Sequence, residues 1–408
     1  MSYPPTSLAG NVFLNTGHDV QRVYGPGQRN ALDPTKAEIA KRDLASWPVY
    51  RPTPLLALPG LARRAGVAQV WLKHEGLRAP LASFKALGGA FALGEVLRDV
   101  VEASTGSRPA YSSLFAGKHA AAASGVHAVA ATDGNHGRSL AWGAQVFGTP
   151  CTIFLPWNVS PEREALIAAF GAQIRRVPGN YDAAVAAARE ASQAPGCVLI
   201  QDTSFEGYTL HCQRIMYGYM LMAQEIRAQL PPGDLPTHVF LQVGCGGLAA
   251  AVAADFWLTW GPRRPKVIAV QSTRAASLLR SLEAGARTTV EGDLDTAMIG
   301  IACGEISMLA WDILRDEVSL ALAIDDEAAF EAMRLLAAGS DVGDAPVVIG
   351  ETGAAGVGAL LTLAADRSSN AGAAALDAHS RVLVIGSEGA LDSGSYRRIV
   401  GADPGVVA

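Results

Sequence analysis

From Val126 onward, short apolar runs alternate with helix-patterned segments, and this alternation constrains the fold more than any other feature of the chain. The runs Val126–Ala131, Cys151–Leu155, Gln173–Val177, Cys197–Ile200, Thr237–Val243, Lys266–Gln271 and Arg381–Ile385 are too short for helices and predict strands. Between them the apolar spacing predicts helices near Arg138–Phe147, Glu162–Phe170, Tyr181–Ala191, Tyr208–Gln229, Leu248–Trp257 and Thr352–Ala364. The second of these is well punctuated, with Ser160 as cap, Pro161 at the first position, Glu162 in the first turn and Gly171 past the end. Strands separated by helices form parallel sheets covered on both faces. No repeat or Pro/Ser-rich linker divides the 408 residues. The expected fold is therefore α/β, with two interleaved parallel-sheet domains and helices on both faces.

Ahead of Val126 the pattern is sparser. A helix is expected over Thr35–Ser46, and Arg51-Pro-Thr-Pro-Leu-Leu enforces an extended segment, because residues before proline avoid the helical region. Gln69–Glu75 reads as a strand, and the Ala/Ser/Gly-rich piece Ser104–Ser124 as a solvated loop or weak helix. Net charge is −5 without a basic block, which disfavours nucleic acid and anionic membrane as partners. The first ten residues lack the basic-then-apolar pattern of a secretory leader, and no apolar run is long enough to span a bilayer. Five cysteines without a Cys-x-x-Cys pair, Cys151, Cys197, Cys212, Cys245 and Cys303, fit reduced thiols in a cytoplasmic protein and argue against a zinc ribbon or a disulfide framework.

Four segments carry candidate chemistry. In Pro80-Leu-Ala-Ser-Phe-Lys85-Ala-Leu-Gly-Gly89, Ser83 can cap a helix that Lys85 opens. A lysine partly withdrawn from water there gives readier access to its neutral amine, the form that attacks a carbonyl. Ala131-Thr-Asp133-Gly-Asn135-His136-Gly137 follows a strand and opens a helix, at the sheet end where open parallel sheets bind ligands. Asn135 can donate to an anionic oxygen. Asp133 needs a cation or a proton to move, although an Asx-turn reading of it is equally good. Gln242-Val-Gly244-Cys245-Gly246-Gly247-Leu248 places a glycine cluster before a small-residue helix, a nest suited to a phosphate. It lacks the Gly-Lys-Ser/Thr of a Walker loop, and a dinucleotide reading survives only through the looser Gly-x-Gly-x-x-Ala pattern. Val382-Leu-Val-Ile-Gly386-Ser387-Glu388-Gly389 ends a buried strand on a serine hydroxyl, or is a plain strand-to-turn transition.

Together with Arg51-Pro-Thr-Pro-Leu, these segments resemble the fold-type II pyridoxal-phosphate enzymes, the tryptophan synthase β-like group. Within that group, Asp133-Gly-Asn-His-Gly-Arg-Ser-Leu-Ala-Trp142, Gln201-Asp202-Thr-Ser-Phe-Glu-Gly-Tyr208, Gly300-Ile-Ala-Cys-Gly-Glu305 and Gly350-Glu-Thr-Gly-Ala-Ala-Gly-Val-Gly-Ala359 are similar to the diaminopropionate ammonia-lyases. The resemblance runs from about Tyr50 to Asp392. It implies pyridoxal 5'-phosphate held covalently by Lys85, with Asn135 facing the ring 3-oxygen. Gly244, Cys245, Gly246, Gly247 and Leu248 would hold the phosphate, and Ser387 would face the pyridine nitrogen. Asp133 would act as a second base or as a substrate anchor, with Asp202 and Ser83 near the substrate. It also implies a cytoplasmic homodimer acting on a small amino acid, with 1–85 and 205–408 as a larger cofactor-binding domain and 86–204 as a smaller mobile one. The implied reaction is α,β-elimination of 2,3-diaminopropionate, with a dehydratase, racemase or β-replacement enzyme as the alternative. Lys73-His-Glu-Gly76, Arg78–Lys85 and Glu305-Ile-Ser-Met308 depart from that group's pattern and are expected near the substrate.

Overall fold

The computed structural model describes residues 10–407 apart from 133, 158, 180, 340–342 and 367–373. In chain order its strands are β1 (Val12–Leu14), β2 (Leu55–Ala57), β3 (Gln69–His74), β4 (His127–Ala131), β5 (Cys151–Pro156), β6 (Gln173–Val177), β7 (Cys197–Leu199), β8 (His238–Gln242), β9 (Lys266–Ser272), β10 (Val318–Ile324) and β11 (Arg381–Gly386). They form two sheets, one in each of two compact units.

The larger unit comprises Met1–Asp33, Pro52–Arg78 and Met222–Ala408. Its seven-stranded sheet runs β1-β10-β9-β8-β11-β3-β2, parallel except at the two edges, where β1 and β2 pair antiparallel. Leu72, Phe240, Ile268, Leu322 and Val384 of this sheet share one apolar core with Leu336, Val357 and Leu360 of the helices Asp326–Ala338 and Glu351–Ala365. The predicted strands recur here within a residue or two. Val318–Ile324 was not expected as a strand. It follows the helix Met308–Glu317 with no turn residue between them, and its two alanines weaken the strand signal.

The smaller unit comprises Pro34–Arg51 and Ala79–Leu221, around an all-parallel sheet of order β6-β5-β4-β7. The helix Tyr181–Ala191 packs Ala184 and Ala188 against Val129, Phe154 and Leu199. Pro34–Arg51 was expected in the larger domain but belongs to this unit. Trp47 explains why, since it lies among Phe91, Tyr111, Phe115, Trp142 and Phe147 with ring centroids 5.2 to 6.4 Å away. An ion pair of 2.5 Å between Asp43 and Arg98 adds a second tie. Ala79–Lys85 and 205–221 likewise fall in this unit, so the division lies at Arg78/Ala79 and within the helix Leu210–Gln229. The Ser104–Ser124 piece contains two short helices, Tyr111–Phe115 and Ala120–Ser124, and Tyr111 of the first is buried in the aromatic group.

Candidate active site

Lys85 lies in a single helical turn, Phe84–Leu87, ahead of the helix Gly89–Thr105, so it precedes the long helix and does not open it. Ser83 is the cap expected from the sequence. Its hydroxyl accepts the Lys85 amide at 3.4 Å, and the residue is fully buried. Ala82, just before it, has a left-handed backbone (φ 52°), which turns the chain sharply into the lysine. Behind Lys85, Gly88 lets Tyr219 approach; a methyl group there would come within 2.6 Å of its ring. The Lys85 amine stands 5.4 Å from the Phe84 ring centroid and 5.9 Å from that of Tyr219.

Lys85 Nζ donates to Asp202 Oδ2 at 2.5 Å, and the two side chains are 16% and 12% exposed. The amine is thus largely withdrawn from water, as the sequence implies, but it also meets a counter-charge. Burial alone would raise the Asp202 carboxyl, but Lys85 and then His136 outweigh it, and the group is held well below the usual carboxylate range. His136 is buried on the first turn of the helix Asn135–Phe147, with Nε2 2.7 Å from the Ile200 carbonyl and Nδ1 3.9 Å from Asp202 Oδ2. Desolvation lowers the imidazole pKa, although Asp202 draws it up.

Between β4 and that helix, the Thr132 hydroxyl accepts the amides of Gly134 at 3.0 Å and Gly137 at 3.3 Å, fixing the turn. Asn135 is half-buried at the helix start, and its Oδ1 accepts from Arg138 at 3.3 Å. Asp133 lies outside the described residues. The smaller unit thus brings together Ser83, Lys85 and Asp202. Neither motif nor spacing says which residue faces the lysine, so the sequence gives no role to His136 or Tyr219.

The larger unit carries the other candidates. After β8 the chain passes through Gly244, Cys245 and Gly246 into the helix Gly247–Trp260. Gly246 is left-handed (φ 93°), and a methyl group there would come within 2.8 Å of Ala310 and Ile306. The Cys245 carbonyl accepts from the Ser307 amide at 3.0 Å. At the turn Ile299–Ile301, the Gly300 amide donates to the Thr352 hydroxyl at 3.1 Å. The result is a glycine-rich turn at a fourteen-residue helix N-terminus, where the first backbone amides have no partner within the helix and suit an anion. Ser387 directly follows β11 and is buried. The departures at Lys73, Glu75 and Arg78, expected near the substrate, join Glu225 in one charged cluster. Lys73 pairs with Glu225 at 2.6 Å, and Arg78 pairs with both Glu75 and Glu225 at 2.8 Å. The Thr53 hydroxyl donates to Glu75 at 2.5 Å, and all five residues are buried.

A profile of the pyridoxal-phosphate dependent enzymes matches residues 47–387. The chain belongs to this family. A diaminopropionate ammonia-lyase of Salmonella typhimurium is 36% identical over 93% of this chain and 96% of its own length. The crystal structure of the Escherichia coli diaminopropionate ammonia-lyase in complex with D-serine superposes with a TM-score of 0.84 at 32% identity, covering 96% of each chain. The same enzyme in complex with an aminoacrylate–PLP azomethine reaction intermediate gives 0.83 at 32% identity, with the same coverage. The fold is thus tryptophan synthase β-like, as the alternation and the resemblance imply, and the cofactor is pyridoxal 5'-phosphate. The residues present fit that group, since the glycine turn can take a phosphate and Lys85 offers a half-buried primary amine.

Proposed function

We propose that this protein eliminates ammonia from 2,3-diaminopropionate, yielding pyruvate and two ammonia molecules with the uptake of one water. The observation that carries the reading is the Lys85–Asp202 pair, a carboxylate held ionised beside the reactive amine. An anionic group there suits a substrate whose leaving group begins as a β-ammonium, whereas serine and threonine present a neutral hydroxyl. The names of the relatives support the same substrate.

When bound, the cofactor supplies an electron sink for the bond broken at Cα. Lys85 would anchor it and would take the α-proton. Asn135 would face the ring 3-oxygen, and the backbone amides from Gly244 to Leu248 would hold the phosphate. Ser387, uncharged, would face the ring nitrogen, and Ser83 acts by placing Lys85. Asp202 holds the ammonium form of Lys85 in place and accepts the β-ammonium of the substrate. Asp133 would serve as a second base, so that each enantiomer meets one base. The reading takes the protein to be a cytoplasmic homodimer, which light scattering tests; among the described residues no helix is long and apolar enough to cross a membrane.

The deciding experiment measures pyruvate release from D- and L-diaminopropionate beside serine and threonine. Turnover of both diamino acids at well over the rate on the hydroxy acids is expected. Activity on serine or threonine alone would replace this reading with a dehydratase. With Asp133→Asn, one enantiomer should lose far more turnover than the other; an equal loss through KM would make Asp133 an anchor and not a base.

A further inference from the structure

We infer that His136 is a positioning residue that controls the proton on Lys85 by way of Asp202. A single oxygen, Asp202 Oδ2, faces both groups, accepting from Lys85 Nζ at 2.5 Å and lying 3.9 Å from His136 Nδ1. The other imidazole nitrogen is 2.7 Å from the Ile200 carbonyl, an acceptor only, so Nε2 carries the hydrogen and Nδ1 presents a lone pair. That nitrogen is buried and has no hydrogen-bond partner among the described residues, in a side chain 4% exposed. A buried acceptor without a donor is costly, by about 1–3 kcal/mol, and buried polar groups of this kind call for an explanation. Here the missing donor is a proton that arrives during the reaction.

The step balances within three side chains. Lys85 gives one proton to Asp202 Oδ2, and that oxygen passes a proton to His136 Nδ1. One N–H bond breaks at Lys85, one forms at His136, and the carboxylate is regenerated. The net charge of the trio is unchanged, and the imidazolium formed stays beside Asp202. A ring shift of about 1 Å brings Nδ1 within hydrogen-bond reach. The charged groups facing the imidazole are Asp202, on the segment after β7, and Lys85, on the Phe84–Leu87 turn. Lys85 becomes the neutral amine that a carbonyl requires, although its resting partner is a carboxylate.

The inference rests on Lys85 as the reactive amine, but its test does not depend on the substrate. Competitive acetylation of the cofactor-free chain across pH, followed by mass spectrometry of the Lys85 peptide, reads amine availability directly. His136→Gln should raise the pH midpoint of Lys85 reactivity by about one unit, a tenfold loss at fixed pH. An unchanged midpoint in a folded variant overturns the inference and leaves His136 as a core residue holding the Ile200 carbonyl. A reciprocal measurement covers the case in which that variant does not fold. Nitrogen NMR of labelled histidines should show His136 titrating at least one unit higher in Lys85→Ala than in wild type, because coupling between two sites is mutual. Equal titration in the two proteins overturns it as well. Loss of activity on diaminopropionate alone, with both spectroscopic results as expected, would count against the proposed substrate and not against His136.

Discussion

Lys85 and Asp202 are 117 positions apart in the chain, yet their charged ends meet at 2.5 Å. Asp202 lies on the segment that follows β7, and Lys85 sits on a turn capped by the buried Ser83. Each is largely withdrawn from water, so the pair gains much more from charge and hydrogen bonding than a surface pair would. It fixes the amine before any ligand arrives.

Lys85→Ala should abolish turnover and the visible absorbance of covalently held cofactor, while leaving noncovalent binding at the glycine nest. Borohydride reduction followed by peptide mapping locates the attachment. A pyridoxyl group on Lys73 would contradict the buried Lys73–Glu225 pair as well as this assignment.

Asp202→Asn should lower kcat on the order of a hundredfold, the usual scale for removing a proton-transfer partner. It should also change acid stability in a definite direction. The folded-state pKa of Asp202 is depressed below its ordinary value of 3.8. Its contribution is therefore complete above that value and is lost as pH falls toward the folded pKa. Melting temperature of the cofactor-free wild type should drop more steeply than that of the variant as pH falls below about 4. Parallel curves would show that the pair does not stabilise the chain.

The order of strands and helices was readable because β-branched runs such as Val382–Ile385 differ sharply from the alanine-rich helices around them. Val318–Ile324 escaped notice because it joins a helix directly and alternates with alanine. The membership of Pro34–Arg51 in the smaller unit was illegible for another reason. Trp47 finds its partners 44 to 100 positions away, as the positions of Phe91 and Phe147 show, and local pattern carries no such information. The candidate residues themselves stood out, since lysine, asparagine, glycines and serine sit at strand or helix ends. Their partners did not. Nothing local reveals that His136 turns its bare nitrogen toward Asp202, or that Glu225 draws Lys73 and Arg78 into one cluster with Glu75.

That last cluster supports a stability prediction. Burial pulls Lys73 below the ordinary lysine range despite the opposing effect of Glu225, while Arg78 holds Glu75 low against its own desolvation. Glu225→Gln leaves Lys73 short of a counter-charge and should destabilise the fold by about 3–5 kcal/mol. The double variant Lys73→Met with Glu225→Gln should recover part of the loss, because the uncompensated ammonium is gone. Urea unfolding midpoints of the three proteins check this. A Glu225→Gln midpoint equal to wild type would mean that Arg78 and Glu75 alone keep the cluster balanced.

The glycine nest gives a prediction of the opposite kind, in which a small change acts on binding. Gly246 combines a left-handed backbone with neighbours that leave no room for a methyl group, Ala310 and Ile306 each lying 2.8 Å from where it would sit. Gly246→Ala must therefore strain the turn or push it away from the helix Gly247–Trp260, whose first amides would form the anion site. The left-handed conformation alone costs a residue with a side chain roughly 1–2 kcal/mol. Strain of that size, if relieved by moving the loop, weakens phosphate binding by about tenfold or more. Pyridoxal phosphate titration followed by absorbance should show that loss, whereas pyridoxal, which lacks the phosphate, should bind wild type and variant alike. Equal weakening of both ligands would trace the effect to the Ile299–Ile301 turn packed beside Gly244, and unchanged binding of both would remove this loop from the cofactor site.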